Sequence, residues 1–363
     1  MPVRETSFRI GCGRYQQEKN ILEKIGEEVL RFGKAPVIIG DDTTLGIARA
    51  AIEKSISAAC EKYEFIVHNG TCNEERAREI AEYMSKNGFD VVIGVGGGVL
   101  VDFAKLCAHF GDFPVINVPT SSATCASYVP LSVRYTPEGK TVGSLHYDRE
   151  VNSVLADMEI LSKQPTRLLV SGVFDSLAKF VEIKQRFNEE SHEYPLGLDY
   201  AYVMSKRAYK VLTEDTDGCI ADMNSGKITD RVERVIFTTI AATGVISGIA
   251  RGSNQCAVAH KFYEAARYLF NKEAAPYLHG EIVGVGLLLQ NHFNDETEKN
   301  DFLLGLMKKY NMPQKVSDIG IETNGETLEK FYEKISSSSA IDGNNADECR
   351  KLREGLEYLW SLG

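Results

Sequence analysis

Short apolar runs alternate with helical segments through the first part of the chain, and this alternation restricts the fold more than any other feature. The runs are typical of β-strands: "SFRIG", "APVIIG", "EFIVH", "DVVIGV", "FPVINVP" and "PLSVRY". Between them, segment 16–32 has apolar residues on one helical face, and segment 74–87 begins with acids and ends near a lysine. The alternation predicts a mostly parallel sheet with helices on both faces, which binds ligands at the carboxyl ends of its strands.

The pattern changes after about residue 160, where helical spacing dominates. The predicted helices are 166–187, 197–214, 227–250, 255–270, 280–293, 296–310 and 346–361. A chain of 363 residues also exceeds what one hydrophobic core usually holds. We therefore predict an α/β domain over residues 1–162 and an all-helical domain over residues 163–363, with a hinge near Pro165.

Charge and composition exclude several classes of partner. The chain has 41 Lys and Arg against 51 Asp and Glu, so a net charge of −10 argues against nucleic acid or an anionic membrane as the main partner. No signal peptide is evident, and no apolar run is expected to cross a bilayer, which predicts a cytoplasmic protein. The eight scattered cysteines are expected to be mostly buried thiols.

Three consecutive glycines, Gly96, Gly97 and Gly98, stand in "GVGGGVLVDFAK" between a predicted strand and a predicted helix. A helix start with bare backbone before it suits a diphosphate, because free N–H groups point outward and no Cβ blocks the approach. The segment differs from the Rossmann fingerprint, since Val99 replaces its third glycine, and no Walker lysine follows. A diphosphate site and a bare turn both remain open at this point.

Two other strand ends carry polar residues. Asp41 follows the strand "VIIG"; an acid there accepts hydrogen bonds from an adenosine ribose and repels a 2′-phosphate, although it equally suits the cap of a helix starting near Thr44. The hydroxyl-rich loop "NVPTSSATCASY", which contains Thr120 and Thr124, has a composition suited to a cofactor ring. A bound dinucleotide explains these features and the glycines together.

A possible metal site is indicated by one acid and two histidines. Asp175 lies in the apolar sequence "LLVSGVFDSLAKF" and has to be paired, solvated or coordinated if buried. His260 lies on an apolar helix face and His279 at a helix start, positions where a lone histidine more often serves packing. One carboxylate and two imidazoles, however, leave a coordination position open, which is typical of a catalytic divalent site.

The motifs together resemble the glycerol dehydrogenase branch of the iron-activated alcohol dehydrogenases, which are related in fold to dehydroquinate synthases. The resemblance runs over nearly the whole chain: "GDD" at 40–42, "GGGVLVDFAK" at 96–105, "VPTSSATCASYVPLSVRY" at 118–135, "SGVFDSLAKFVE" at 171–182, and "AVAH" with "LHGEIVGVG" within 257–286. It implies a Rossmann-like dinucleotide-binding domain joined to an all-helical metal-binding, catalytic domain, with the active site in the cleft between them. It also implies NAD or NADP, one divalent metal (Zn or Fe), a small-molecule substrate and a homo-oligomer.

The resemblance assigns roles to particular residues. It makes Asp175, His260 and His279 the metal ligands and places Asp41 at the ribose. The remaining cofactor positions are Gly96, Gly97, Gly98, Val99 and Asp102 around the diphosphate and Thr120, Thr124, Leu131, Val133 and Tyr135 toward the nicotinamide.

The chain departs from glycerol dehydrogenases at three of their usual site positions. Val99 stands in place of a lysine, Cys125 in place of an aspartate near the substrate, and Tyr263 in place of a histidine. The segment "SATCASYVPLSV" is closer to hydroxycarboxylate dehydrogenases of the same family, and loss of an anion suits a substrate that carries its own carboxylate. Arg251 is a possible partner for that carboxylate, although Cys125 as a small buried residue and Arg251 as a surface charge are equally open.

These observations predict a metal-dependent, NAD(P)-linked oxidoreductase for a 2-hydroxy acid and its 2-oxo acid, with Cys125 near the substrate. A glycerol or other polyol dehydrogenase is the first alternative. A lyase like dehydroquinate synthase is more remote, since no basic cluster for a phosphorylated substrate lies near the metal motifs. A nucleotide-binding relative without catalysis is disfavoured by the intact metal ligands.

Overall fold

A computed structural model of the chain describes residues 10–187 and 196–363, with the backbone alone at 252–255, and its main sheet has six strands. The strands in chain order are β1 (Tyr15–Glu18), β2 (Pro36–Gly40), β3 (Glu64–Val67), β4 (Val91–Gly96), β5 (Val115–Pro119), β6 (Leu131–Tyr135), β7 (Thr141–His146) and β8 (Ser153–Asp157). The main sheet has the order β1-β8-β5-β4-β2-β3, and all its neighbouring strands are parallel. This confirms the predicted α/β class.

The central strands are apolar throughout because both faces of the sheet are covered. Val37 and Ile39 of β2 belong to one buried cluster, whereas Ile38 between them belongs to the cluster on the other face. A strand buried on both sides has no polar face, which is why "PVIIG" and "VVIGVG" do not alternate.

Two predicted strands differ from the expectation. "PLSVRY" does form β6, but this strand pairs with β7 in a separate antiparallel sheet. Of the predicted strand "SFRIG", residues 7–9 lie outside the described residues, and Ile10 and Gly11 are not in a strand.

The helices lie between the strands of the first half and dominate the second. Their bounds are α1 (Ile25–Val29), α2 (Asp42–Ala59), α3 (Glu74–Asn87), α4 (Gly98–Gly111), α5 (Met158–Leu161), α6 (Thr166–Ile183), α7 (Leu198–Asn224), α8 (Asp230–Phe237), α9 (Thr243–Gln255), α10 (Val258–Leu269), α11 (Asn271–Ala274), α12 (His279–Phe293), α13 (Asn300–Lys309), α14 (Gly325–Ser336) and α15 (Ala346–Ser361). Short 3-10 turns cover Ile21–Lys24, Thr297–Lys299 and Val316–Ile319, and a π-turn, Thr238–Ala242, joins α8 to α9.

The described residues divide into two units, each with its own core. We name them the sheet unit, residues 10–169 with 214–245, and the helical unit, residues 170–187, 196–213 and 246–363. The predicted domains placed everything after residue 162 in the helical part. Residues 214–245 instead pack with the sheet unit: Gln17 Nε2 donates to the Glu233 carbonyl at 2.9 Å, and the Phe237 ring meets Tyr15 edge-on. A helix's packing partner cannot be deduced from its own apolar pattern.

One helical stretch passes a length and composition test for a membrane span. It is Asp230–Arg251, and 56% of its most apolar window is buried inside the structure. Core helices of globular proteins have the same length and composition, so the test does not by itself make this segment a span. The expectation of mostly buried thiols is confirmed: none of the eight cysteines forms a disulfide, and five are buried.

Candidate functional site

Three helices of the helical unit bring the predicted metal ligands together. Asp175 lies in α6, His260 lies in α10, and His279 is the first residue of α12. Asp175 Oδ1 is 3.3 Å from His260 Nε2 and 3.4 Å from His279 Nε2. One ligand atom from each residue lies within 4.8 Å of the others. We call these three residues the metal triad.

The metal triad fits a divalent ion. Asp175 Oδ1 is buried, and within the described residues it has only long contacts of 3.3–3.4 Å with nitrogens of Lys179, His260 and His279, none of them a well-formed hydrogen bond. A buried carboxylate oxygen without such a bond is costly unless a cation takes its place. Two imidazole nitrogens and one carboxylate oxygen suit Zn or Fe and leave a position open for a substrate.

The start of α12 is fixed against α6 by close backbone packing. A Cβ at Gly280 would lie 1.8 Å from the Ser171 carbonyl oxygen, so only glycine fits there. The Gly280 N–H donates to Ser171 Oγ at 3.0 Å. The carboxylate of Glu281 accepts a 2.7 Å hydrogen bond from the Leu278 N–H, which caps the helix and sets His279 at its first turn.

Glu182, a residue that sequence reasoning missed, holds His260 in place. Its Oε2 lies 2.5 Å from His260 Nδ1, and its Oε1 accepts 2.8 Å hydrogen bonds from the N–H groups of Ala257 and His260. Although burial on its own lowers the pKa of an imidazole, the Glu182 carboxylate raises the pKa of His260 to about 10. The contact at Nδ1 leaves Nε2 directed toward Asp175, as in carboxylate–histidine–metal arrangements.

Lys179 is a second residue that was missed. Its Nζ lies 3.4 Å from Asp175 Oδ1 and 3.3 Å from His260 Nε2. Burial on its own raises the pKa of the Asp175 carboxyl, but the charges of Lys179 and His279 outweigh this effect and hold that pKa well below its usual range. Asp175 is therefore ionised and able to act as a ligand.

A sequence signal for both residues did exist. Lys179 and Glu182 follow Asp175 at i+4 and i+7, and these spacings place all three on one face of α6. Two charged residues on the same apolar face as a candidate ligand indicate a polar site on that face.

Tyr263 packs on a residue of the metal triad, and its ring meets that of His279 edge-on with centroids 4.2 Å apart. Arg251, predicted to bind the substrate carboxylate, lies at a kink in α9. Its φ of +53° is a backbone conformation that residues other than glycine rarely adopt. Its role toward a substrate stays a prediction.

The glycine turn lies in the sheet unit, between β4 and α4. Gly96 is required by the protein itself, since a Cβ there would lie 2.3 Å from Leu100 Cδ1 and its φ is +154°. Gly97 and Gly98 are different: a Cβ would come no closer than 3.5 Å and 3.3 Å to any neighbour, the hydroxyls of Ser121 and Thr124. Bare backbone that internal packing does not demand, at a helix start with no side-chain cap, fits a diphosphate.

Asp41 caps α2, as the alternative interpretation of this residue expected. Its Oδ1 accepts a 2.7 Å hydrogen bond from the Thr44 N–H, and Thr44 Oγ1 accepts from the Asp41 N–H at 3.1 Å. Capping explains the acid without a ligand. Contact with a ribose stays a prediction.

Asp102 is committed to the interior of the sheet unit. Its Oδ2 accepts a 3.0 Å hydrogen bond from the Val133 N–H, and its Oδ1 pairs with Lys105 Nζ at 2.8 Å. Lys105, which was not singled out from the sequence, also donates to the carbonyls of Ala126 and Val129 at 2.6 and 3.0 Å. The pair ties the loop before β6 to α4, so its geometry supports a role in positioning that loop.

The other predicted cofactor residues lie in the first turn of α4, in the loop after β5 and in β6. The Thr120 N–H donates to the Gly96 carbonyl at 3.1 Å, and the exposed Val99 lies in the first turn of α4. Leu131, Val133 and Tyr135 share one face of β6, since alternate strand residues point the same way. Cys125 is buried in the connecting loop, where its carbonyl accepts from the N–H of Tyr128 at 2.9 Å.

Several known proteins are similar to this chain in sequence and in architecture. The sequence model of the iron-containing alcohol dehydrogenase family matches residues 12–158. The chain is 30% identical to the glycerol dehydrogenase of one Escherichia coli strain over 283 residues, 77% of this chain and 75% of that protein. It is 28% identical to hydroxycarboxylate dehydrogenase A of another Escherichia coli strain over 263 residues, 72% of this chain and 71% of that protein.

The fold is shared with solved structures as well. The crystal structure of glycerol dehydrogenase from Schizosaccharomyces pombe matches with a TM-score of 0.85 at 22% identity and covers 99% of this chain and 91% of that one. The chain therefore belongs to the iron-containing alcohol dehydrogenase family, in its glycerol dehydrogenase-like branch, and is an oxidoreductase that acts on CH–OH donors.

Proposed function

We propose that the enzyme, a metal-dependent alcohol dehydrogenase by family, uses NAD(H) to interconvert a small 2-hydroxy acid and its 2-oxo acid. In the reduction, C2 of the 2-oxo acid gains a hydride and its oxygen gains a proton, while NADH becomes NAD+. The observation that carries the proposal is the metal triad, whose ligand atoms lie within 4.8 Å of one another and leave a coordination position for the substrate oxygen.

The residues of the helical unit provide binding and orientation. Asp175, His260 and His279 would hold one ion of Zn or Fe, and the hydrogen bond at Nδ1 keeps His260 in the tautomer and orientation that a ligand needs. When bound, the ion supplies a Lewis acid that polarises the substrate oxygen, and the nicotinamide supplies or accepts the hydride. The edge of the Tyr263 ring restricts the orientation of His279.

The sheet unit would bind the dinucleotide. The open backbone at Gly97 and Gly98 supports a diphosphate there, and Asp41 beside a ribose would favour NAD over NADP by repelling a 2′-phosphate. Thr120, Thr124 and the half-buried face of β6 that carries Leu131, Val133 and Tyr135 would then extend toward the nicotinamide.

The substrate class rests on the residue at position 125. Cys125 carries no negative charge, so a substrate carboxylate escapes the repulsion that an aspartate at this position would cause. Two like charges 4 Å apart repel by about 1 kcal/mol in water and about 4 kcal/mol near a protein surface. The similarity to a hydroxycarboxylate dehydrogenase supports the same class.

A polyol such as glycerol is the second candidate. It is favoured by the names of two similar proteins, the glycerol dehydrogenases of Escherichia coli and Schizosaccharomyces pombe. Steady-state reduction of small 2-oxo acids and of dihydroxyacetone, with NADH and NADPH and with added Zn or Fe, separates the candidates. The proposal requires kcat/KM to be higher for a 2-oxo acid than for dihydroxyacetone.

Substitution at position 125 makes this test specific. We expect Cys125→Asp to lower the ratio of 2-oxo acid to dihydroxyacetone turnover, because the new carboxylate repels the acid, and Cys125→Ser, which adds no charge, to preserve it. An unchanged ratio in Cys125→Asp would mean that this side chain does not face the substrate.

Two further assignments stay predictions. A cytoplasmic location and a homo-oligomer are expected, and sedimentation of the purified enzyme measures the second.

A further inference from the structure

Lys179 lies inside the metal triad without being one of its ligands. Its side chain is only 5% exposed, and its Nζ is 3.4 Å from Asp175 Oδ1 and 3.3 Å from His260 Nε2. These two atoms are the ones that would bind the metal. The lysine therefore holds a positive charge beside the position where the substrate oxygen would be held.

The charges of these groups do not balance for a neutral substrate. Asp175 and Glu182 supply two negative charges, whereas a divalent ion and Lys179 would supply three positive charges. Uncompensated charge in a buried site is costly. A substrate with one carboxylate brings the negative charge that balances this excess, whereas an un-ionised polyol or its ketone brings none.

We propose that Lys179 is a specificity-determining residue that binds the carboxylate of the substrate acid. The inference rests on the proposed function and names the group that receives the negative charge of the 2-oxo acid. The carboxylate and the reacting carbonyl are on adjacent carbons, so an acid whose C2 oxygen is held at the triad presents its carboxylate next to the cluster. An ammonium there forms a charge-assisted hydrogen bond with a carboxylate but not with a hydroxymethyl group.

A purely structural role for Lys179, in which it only neutralises Asp175, makes a different prediction. Loss of the charge would then change the metal site and affect every substrate equally. Selectivity between a charged and an uncharged substrate of the same shape separates the two roles.

The test uses the metal-loaded enzyme and the variant Lys179→Met, which keeps the length of the side chain and removes its charge. Pyruvate is compared with hydroxyacetone, in which a hydroxymethyl group replaces the carboxylate, and metal content is measured for every sample. We expect kcat/KM for pyruvate to fall roughly 10- to 100-fold, the effect of losing one charge-assisted hydrogen bond, and that for hydroxyacetone to change by less than about threefold.

A binding measurement supplies a readout independent of turnover. Oxamate, an unreactive analogue of pyruvate, is titrated calorimetrically into the enzyme with NADH, and its Kd should rise in Lys179→Met by the same factor. Lys179→Arg, which keeps the charge, should retain most of the affinity. Lys184→Met is the matched control, because Lys184 directly follows the end of the same helix but pairs with Glu296, and it should not alter the selectivity.

Equal losses on pyruvate and hydroxyacetone, with unchanged oxamate affinity, would overturn the role of Lys179 and leave the 2-oxo acid activity of the wild type standing. Oxamate binding that depends on Lys179, in an enzyme that does not reduce 2-oxo acids, would support the anion site and overturn the proposed reaction. If Lys179→Met loses its metal, Lys179→Gln replaces it in the same comparison. A wild-type enzyme that neither binds oxamate nor prefers pyruvate contradicts both.

Discussion

Among single residues, Glu182 does most to fix the metal triad, because one carboxylate interacts with the side chain and backbone of His260 and with the backbone of Ala257. Glu182→Gln removes the charge and leaves one oxygen for the three contacts. We expect metal affinity to fall about 10- to 100-fold, as for other residues that orient a metal-binding histidine. Competition with a chromogenic chelator measures this.

The control for that variant is Glu264→Gln in α10, the helix of His260, where the carboxylate is 54% exposed and pairs with Lys261. Its metal affinity should equal that of the wild type. If Glu182→Gln binds the metal as tightly as the wild type, the contact of Glu182 with His260 Nδ1 does not influence metal binding by His260.

Asp41 combines an observed helix cap with a predicted ribose contact, and two substitutions separate these roles. Asp41→Asn keeps a good cap and removes the charge, whereas Asp41→Ala removes both and should destabilise the fold by about 1 kcal/mol. We expect both variants to narrow the preference for NADH over NADPH in paired kcat/KM measurements, and only Asp41→Ala to lower Tm. If Asp41→Asn does not change the cofactor preference, the Asp41 carboxylate caps α2 and does not contact the ribose.

Residues could be predicted where a chemical type stood out from its neighbours. Asp175 was recognisable as an acid in apolar sequence. Together with the family motifs, it made His260 and His279 stronger candidates for metal ligands. Lys179 and Glu182 were missed because a charged residue on a helix is usually assigned to its solvated side. Their spacing places them on the same face of α6 as Asp175, but the burial of that face follows from packing against α10, which the local pattern does not contain.

At the scale of elements, the approach of α12 to α6 decides where His279 lies. Gly280→Ala places a Cβ 1.8 Å from a backbone oxygen that cannot rotate away, so α12 has to shift. We expect loss of several kcal/mol of stability, in the range for overpacked sites, together with weaker metal binding. Urea denaturation and metal content of the purified variant measure both effects.

The matched control is Gly305→Ala in α13, where the added methyl meets nothing within 4 Å. Alanine at such a helical position should stabilise the protein by about 0.4–1 kcal/mol. Near-wild-type stability and metal content in Gly280→Ala would show that the start of α12 tolerates displacement.

Elements with a complete local signal were predicted closely, and others were not. The segments 74–87 and 346–361 match α3 and α15, each with an asparagine cap and acids in the first turn. Segment 16–32 was predicted to be helical but begins with β1. This strand is stabilised by backbone hydrogen bonds to β8, which is distant in the sequence and does not contribute to the local pattern. Helix α14 was missed: it begins with Gly325, a helix breaker, and is held by the capping box of Asn324 and Thr327.

At the scale of the whole molecule, the candidate metal site and the candidate dinucleotide site belong to different units of the chain. The metal triad belongs to the helical unit, and the glycine turn belongs to the sheet unit. Under the proposed function, hydride transfer would need both, whereas dinucleotide binding would need only the sheet unit. Removal of the metal should therefore separate catalysis from cofactor binding.

The most direct measurement is the rate of NADH oxidation with a 2-oxo acid in the enzyme stripped of metal by a chelator, before and after Zn or Fe is restored. NADH binding to the same samples, followed by fluorescence, serves as the internal control, and His260→Ala should behave like the stripped enzyme. We predict that stripping abolishes turnover, that NADH binding persists, and that metal restores turnover in the wild type but not in His260→Ala. Full turnover in metal-free enzyme would contradict the assignment of Asp175, His260 and His279 as the catalytic metal site.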